Sequence, residues 1–181
     1  MTHQKPEIIS TEIVAESRLF KLEAVALRFS NGIERTYERM KAGGFGAVMM
    51  VPVDAQNNLI LVREYAVGTE CYELGFPKGA IDKGETALAA ANRELMEEVG
   101  FGAGKLTLLK EVNLAPSYFS AQMQIYLAQN LYPESREGDE PEPLEIVKWP
   151  LARAGELIDN NEIKEARAIC ALLLALKKLE E

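Results

Sequence analysis

Residues 79–101 read GAIDKGETALAAANRELMEEVGF, and no other stretch of the 181-residue chain says as much about its fold. Glu85, Glu94, Glu97 and Glu98 gather here on one loop and one helix. At 100° per residue Glu94 and Glu98 are i,i+4 neighbours and Glu94 and Glu97 are i,i+3, so three carboxylates share a stripe about 100° wide. Leu88, Ala91, Leu95 and Val99 fall on an adjacent face that can pack on a sheet. Gly100 is placed to end the helix in a left-handed cap, which predicts a helix over residues 86–99. Like charges at these spacings cost about a few tenths of a kcal/mol per pair, and the stripe carries no lysine to offset them. Hard oxygen ligands without histidine or thiolate suit Mg²⁺ or Mn²⁺, ions commonly completed by substrate phosphates. The loop from Gly79 to Gly84 lets backbone carbonyls approach the same point. Arg93, on the flank of the stripe, is placed to hold a carboxylate in orientation.

Outward from this helix the chain alternates strand and turn. Residues 18–29 (RLFKLEAVALRF) and 33–40 (IERTYERM) flank the turn Ser30-Asn31-Gly32 and predict an antiparallel hairpin. AVMMVPV and LILVREYAV, separated by the turn at Asn57 and Asn58, predict a second, more apolar and more central hairpin. CYELGFPKG leads into the helix. Beyond it KLTLLKEVNL and MQIYLAQNL read as strands around APSYFSA, and residues 132–143 (YPESREGDEPEP) as an acidic loop. EIVKW predicts a last strand, and residues 151–159 and 162–179 predict helices. The final helix would line Ile163, Ala166, Ile169, Cys170, Leu173 and Leu176 along one side. Strands and helices in this order predict an α+β sandwich.

Composition sets limits. A chain of this length holds one domain with a small extension, and 48% hydrophobic with 27% charged residues describes a globular protein with a real core. The net charge of -8 disfavours nucleic acid and anionic membrane surfaces as partners. His3 is the only histidine, at an N-terminus expected to fray, so neither a histidine triad nor a histidine-rich zinc site fits one chain. Cys71 and Cys170 lack paired spacing and read as buried thiols in a reducing compartment. Without a signal-peptide core or a long apolar run, the expected location is cytoplasmic.

An acidic helix face alone would read as a solvated surface. The complete pattern does not: Gly79, five residues, Glu85, seven residues, then Arg93, Glu94, an aliphatic, any residue, Glu97, Glu98, any residue and Gly100. A chance match is on the order of 10⁻⁶ for a chain of this size, taking residue usage as about 7% per position. The pattern resembles the box of the Nudix hydrolase superfamily. The ELGFPKG lead-in, the strand-rich N-terminus and the acidic loop before the last strand resemble its ADP-ribose pyrophosphatase branch.

The resemblance implies an α/β/α sandwich of mixed sheet and helices over residues 43–181, with an N-terminal antiparallel strand unit, residues 1–42, that mediates a homodimer. It implies a Mg²⁺-dependent pyrophosphohydrolase, with Mn²⁺ able to substitute, acting on small ADP-linked nucleotides: ADP-ribose, diadenosine di- or triphosphate, and NADH as a secondary substrate. The implied metal ligands are Glu94, Glu98, Glu97 and the carbonyl of Lys78, and Glu85 would pair with Arg93 to brace the loop against the helix. The implied catalytic set is Arg93, Glu97 and a general base from the acidic loop, for which Asp139, Glu140 and Glu142 are candidates and Glu140 is favoured. Arg39, Arg63, Glu73 and Tyr118 are the implied substrate-binding residues. Two rivals remain open: a catalytically silent ADP-ribose-binding regulator of the same fold, and a hydrolase of sugar nucleotides or nucleoside triphosphates.

Overall fold

The computed structural model describes residues 4–181, so His3 lies outside the described residues. Three antiparallel strands open the chain: β1 (Glu7–Glu16), β2 (Lys21–Arg28) and β3 (Glu34–Lys41). The turn between β2 and β3 forms where its composition predicts, with Gly32 at φ +81° and its amide donating to the Phe29 carbonyl. β1 was not expected. All ten of its residues are exposed, so its sequence shows no alternation between a buried and a solvated face.

After these come β4 (Ala47–Pro52), β5 (Asn58–Ala66), β6 (Cys71–Gly75), β7 (Lys78–Ala80) and α1 (Ala87–Glu98). The long strands β8 (Phe101–Ala115) and β9 (Phe119–Pro133) form a hairpin, then β10 (Glu145–Pro150) runs into a 3₁₀ turn at Leu151–Arg153, α2 (Glu156–Asp159) and α3 (Ala166–Leu179). A mixed seven-stranded sheet runs β1-β2-β3-β9-β4-β7, with β8 also on β9, and a second sheet runs β10-β5-β6.

The expected β4–β5 hairpin does not form. β4 lies parallel to β9 and antiparallel to β7, β5 pairs with β10 and β6, and among the described residues the one backbone pairing between the two segments is the isolated bridge Val53↔Leu59, just past the end of β4. Both segments are apolar on both faces because helices cover them on both sides. Val48, Met50, Ile60 and Val62 pack with Ala90, Ala91, Leu95 and Val99 of α1. Met49, Val51, Leu59 and Leu61 pack with Ala168, Ala171, Leu172 and Ala175 of α3. This is the expected α/β/α sandwich, and a continuous apolar run is the signature of a strand buried on both faces, not of a hairpin.

Three further expectations are corrected. The last helix starts at Ala166, where the Glu165 side chain accepts a hydrogen bond from the Ala168 amide, and its buried stripe is Ala168, Ala171, Leu172 and Ala175 while Leu173 is exposed. Small alanines let α3 approach the sheet closely, and they carry too little hydrophobicity to mark that face in the sequence. Leu88 is exposed, and the buried face of α1 is centred instead on Ala91, Leu95, Glu94 and Glu98. Cys71 is exposed at the solvent end of β6, with its thiol against Thr69 and Glu73, and Cys170 is half-buried; both are free. No helix among the described residues is long and apolar enough to cross a membrane.

Candidate active site

α1 begins at Thr86, whose hydroxyl accepts a hydrogen bond from the Ala89 amide, and ends where Gly100 takes φ +72°. This fixes the rotation of the helix on the sheet and so the direction of its carboxylates. Glu94 and Glu98 are each only 9% exposed. They lie among Ala91 and Leu95, not on a separate solvated face. Burial is the main force on both acids: it raises the Glu94 pKa above the ordinary carboxylate value and pushes Glu98 up to about 8.

Arg93 organises the other side of the cluster. Its Nε and Nη2 donate to the two oxygens of Glu85 at 3.1 and 3.0 Å, the expected brace between loop and helix. Nη1 donates to Glu94 and Glu97 at 2.7 and 2.8 Å, and Nη2 also donates to the Ala80 carbonyl at 2.9 Å. All five guanidinium N–H groups are thereby used inside the protein, so Arg93 acts by positioning its neighbours. The same fork holds the Glu85 carboxyl below its usual range and raises the guanidinium further.

Two backbone approaches close the cluster. The Lys78 amide donates to Glu98 Oε2 at 3.1 Å. At Gly79 a Cβ would lie 2.0 Å from the Glu94 carboxyl carbon, so only glycine leaves that carboxylate its place. The acidic loop is tied to the end of α1 by the Arg136 amide, which donates to the Met96 carbonyl at 3.0 Å. Within it Glu140 reaches back over Gly138, close to Glu97, and its charge acts on Glu94. Glu142 is committed elsewhere, accepting a hydrogen bond from the Tyr72 hydroxyl at 2.6 Å.

The remaining expected residues divide into two groups. Arg63 lies in β5, paired with Glu145 at 3.2 Å, and Glu73 lies in β6, its carboxyl lowered by hydrogen bonds from Cys71 and Thr69. Glu73 lines a cavity of about 340 Å³ that Lys78 also borders. Arg39 and Tyr118 lie instead where the N-terminal strands meet the β8–β9 turn. Arg39 Nε donates to the buried Glu23 at 2.9 Å, Lys41 holds the other Glu23 oxygen, and the Tyr118 carbonyl accepts from the Met40 amide. Among the described residues no hydrogen bond or ion pair links Arg39 or Tyr118 to the carboxylates of α1.

Sequence reasoning missed Glu64. Its carboxylate pairs with the Lys78 ammonium, and its charge acts on Glu98. The signal was alternation along β5, because Ile60, Val62 and Glu64 share the face turned to α1.

The donor set fits a hard divalent cation: buried carboxylates and a backbone approach, with no thiolate or imidazole. As the side chains stand, Glu94 and Glu97 turn to Arg93 and Glu98 to the Lys78 amide, and among the described residues no three acidic, histidine or cysteine side chains converge on one centre.

Comparison with known proteins identifies the family. A family model described as the NUDIX domain matches residues 45–174, and one described as the NudE-type Nudix hydrolase N-terminal domain matches residues 6–39. The chain is 58% identical over 177 residues to the ADP compounds hydrolase NudE of Escherichia coli, covering 98% of this chain and 95% of that one. It is 28% identical over 174 residues to the ADP-ribose pyrophosphatase of Bacillus subtilis, covering 95% and 93%. The ADP-ribose pyrophosphatase of Mycobacterium tuberculosis is 31% identical over 172 residues, covering 92% and 81%. A crystal structure of an ADP compounds hydrolase superposes with a TM-score of 0.94 at 57% identity, covering 99% of this chain and 97% of that one.

Proposed function

This chain belongs to the Nudix hydrolases, and we propose that it is a Mg²⁺-dependent pyrophosphohydrolase of ADP-linked compounds that releases AMP. The observation that carries this reading is the intact cluster of Glu85, Arg93, Glu94, Glu97 and Glu98 around Gly79, in a chain 58% identical to an ADP compounds hydrolase. The substrates are ADP-ribose and diadenosine di- or triphosphate, with NADH secondary.

Glu94, Glu98, Glu97 and the Lys78 carbonyl would hold the ion. A divalent cation supplies positive charge against the diphosphate and lowers the pKa of water. The protein does the rest. Arg93 keeps Glu94 and Glu97 in register with Glu85. Glu140 takes the proton of the attacking water, a role its place over Gly138 beside Glu97 supports and the commitment of Glu142 to Tyr72 favours. Arg63 holds phosphate charge and Glu73 accepts hydrogen bonds from the substrate; Arg39 and Tyr118, set apart from the cluster within one chain, would meet the phosphate and the adenine from the second copy of the dimer.

The N-terminal unit, residues 1–42, serves a homodimer built on residues 43–181. Ile8, Ile9, Ile13 and Val14 of β1 and Phe20 are exposed, an apolar surface that a second copy would cover. Sedimentation at micromolar protein should give a mass of two chains. The assigned location is the cytoplasm.

The deciding experiment incubates purified protein with ADP-ribose and Mg²⁺ and follows AMP and ribose 5-phosphate. Equal release of both is expected. No turnover on any ADP-linked compound would overturn the proposal, and binding without turnover would identify a silent regulator. GDP-mannose and dATP in the same panel separate the other rival.

A further inference from the structure

A second cavity, of about 270 Å³, opens beside the acidic loop. Tyr65 and Tyr72 form its aromatic side and Pro141 and Pro143 belong to its loop side, while Arg63, Leu144 and four glutamates, Glu140 among them, line the rest. Tyr65 and Tyr72 are direct partners across β5 and β6, and Arg63 is two residues from Tyr65, so all three project from the same face of the small sheet. The two rings meet edge to face, with centroids 5.4 Å apart. They remain 50% and 54% exposed. An edge-to-face pair leaves ring surface free, and two half-exposed tyrosines walled by prolines present an unfilled apolar surface beside the acidic loop.

The position matters as much as the shape. Glu64, the residue before Tyr65, turns to α1 and pairs with Lys78 while Tyr65 turns to the opposite face of the strand, and the cavity is bordered by both, so it runs from the tyrosines to the segment whose amide contacts Glu98. Glu140, the assigned base, lies on its other wall. The Tyr72 hydroxyl donates to Glu142 at 2.6 Å, which holds the proline-flanked loop against the tyrosines. A planar, uncharged ring with a polar edge fits such a slot: stacking needs the ring faces, and the loop carboxylates offer hydrogen-bond acceptors to a base edge.

Resting on the hydrolase reading above, we infer that Tyr65 and Tyr72 form a stacking seat for the second nucleobase of an ADP-linked dinucleotide, the ring on the side of the diphosphate away from the adenosine that leaves as AMP. The seat separates substrates by class. A dinucleotide such as diadenosine triphosphate gains the stacking contact, and ADP-ribose, which ends in a bare sugar, does not.

The test compares both substrates on the same variants. Tyr65→Leu removes one ring and should raise KM for diadenosine triphosphate about tenfold, equivalent to about 1.4 kcal/mol, with kcat little changed. KM for ADP-ribose should stay within about twofold. Tyr72→Phe removes the hydroxyl and keeps the ring, so the dinucleotide preference should survive in it. Equal changes for the two substrates, or no change for either in Tyr65→Leu, would overturn the seat. A chain with no turnover on either substrate would refute the hydrolase reading instead. The seat would then be judged by equilibrium dialysis of diadenosine triphosphate, in which wild-type protein must bind more tightly than Tyr65→Leu. Circular dichroism and melting curves confirm that each variant is folded.

Discussion

A single methyl group at position 79 should separate folding from catalysis. Gly79 does not have a positive φ, so alanine there is free of backbone strain. Its Cβ would stand 2.0 Å from the carboxyl carbon and Oε1 of Glu94, where ordinary contact begins at 3.4 Å, so the carboxylate must retreat by at least 3.4 − 2.0 = 1.4 Å. Glu94 ends a flexible side chain, and the sheet need not move to let it go. What it loses is its place: Arg93 holds it at 2.7 Å in a site where it is 9% exposed. A hydrogen bond between charged groups contributes about 1.5–3 kcal/mol. At about 2–4 °C per kcal/mol for a domain of this length, the melting temperature should fall by roughly 3–12 °C with the fold retained. Misplacing a reacting group by about 1 Å costs on the order of 10²-fold in rate, so AMP release from ADP-ribose should fall at least that far. The control is Gly155→Ala, at a position with φ -58° and ψ -33° and nothing within 4 Å of the added Cβ. It should keep full activity and gain about 0.4–1 kcal/mol from a less flexible unfolded chain. A Gly79→Ala enzyme with wild-type turnover and an unchanged melting temperature would refute the placement of Glu94 at the reacting centre.

Other consequences follow from the same cluster. In metal-free protein burial pushes Glu98 up to about 8 from its ordinary 4.5, so the native state binds this proton more tightly than the unfolded one. Its contribution to stability is therefore full below pH about 4.5 and is lost as pH rises towards about 8, by up to several kcal/mol. Glu98→Gln should remove that slope in denaturation curves recorded in chelator, and should lower turnover by orders of magnitude; superimposed wild-type and variant slopes would contradict it. Arg93→Lys replaces five fixed donors with three rotating ones and cannot keep the fork on Glu85 and both glutamates, so melting temperature and kcat should fall together. Glu140→Gln should reduce kcat by about 10²–10⁴-fold, the range of general-base catalysis, and Glu142→Gln by far less, as single-turnover rates would show.

The sequence disclosed local structure better than long-range partnership. The helix with its glycine stop, the Ser30-Asn31-Gly32 turn and the chain around the acidic loop were legible because each depends on residues close in sequence. Pairing of β4 with β9 was not, because two apolar runs joined by a short turn look the same whether they form a hairpin or enter different sheets. The buried side of α3 was misread because alanines pack it, and β1 was overlooked because nothing covers it. At the site the box residues were named directly. That two of the glutamates lie on the buried face of α1 was not legible, since a carboxylate counts as solvated in any periodicity argument. Alternation along β5 marks the face that carries Glu64, but not the Lys78 ammonium of β7 that ties it to the cluster.

That burial has an energetic meaning. Glu94 and Glu98 stand where Ala91 and Leu95 show that apolar side chains would fit, and carboxylates there cost desolvation that alanine or leucine would not. Protein cations offset only part of the cost: Arg93 is shared among Glu85, Glu94 and Glu97, and the Lys78 ammonium, which acts on Glu98, is engaged by Glu64. The cluster therefore holds surplus negative charge, and the chain as a whole carries -8. A diphosphate approaching such a surface is repelled by the residues meant to act on it. A divalent cation removes both penalties, pairing the buried carboxylates and presenting positive charge to the substrate. Affinity for the ion and affinity for the diphosphate must then be linked: each should tighten the other by the same factor.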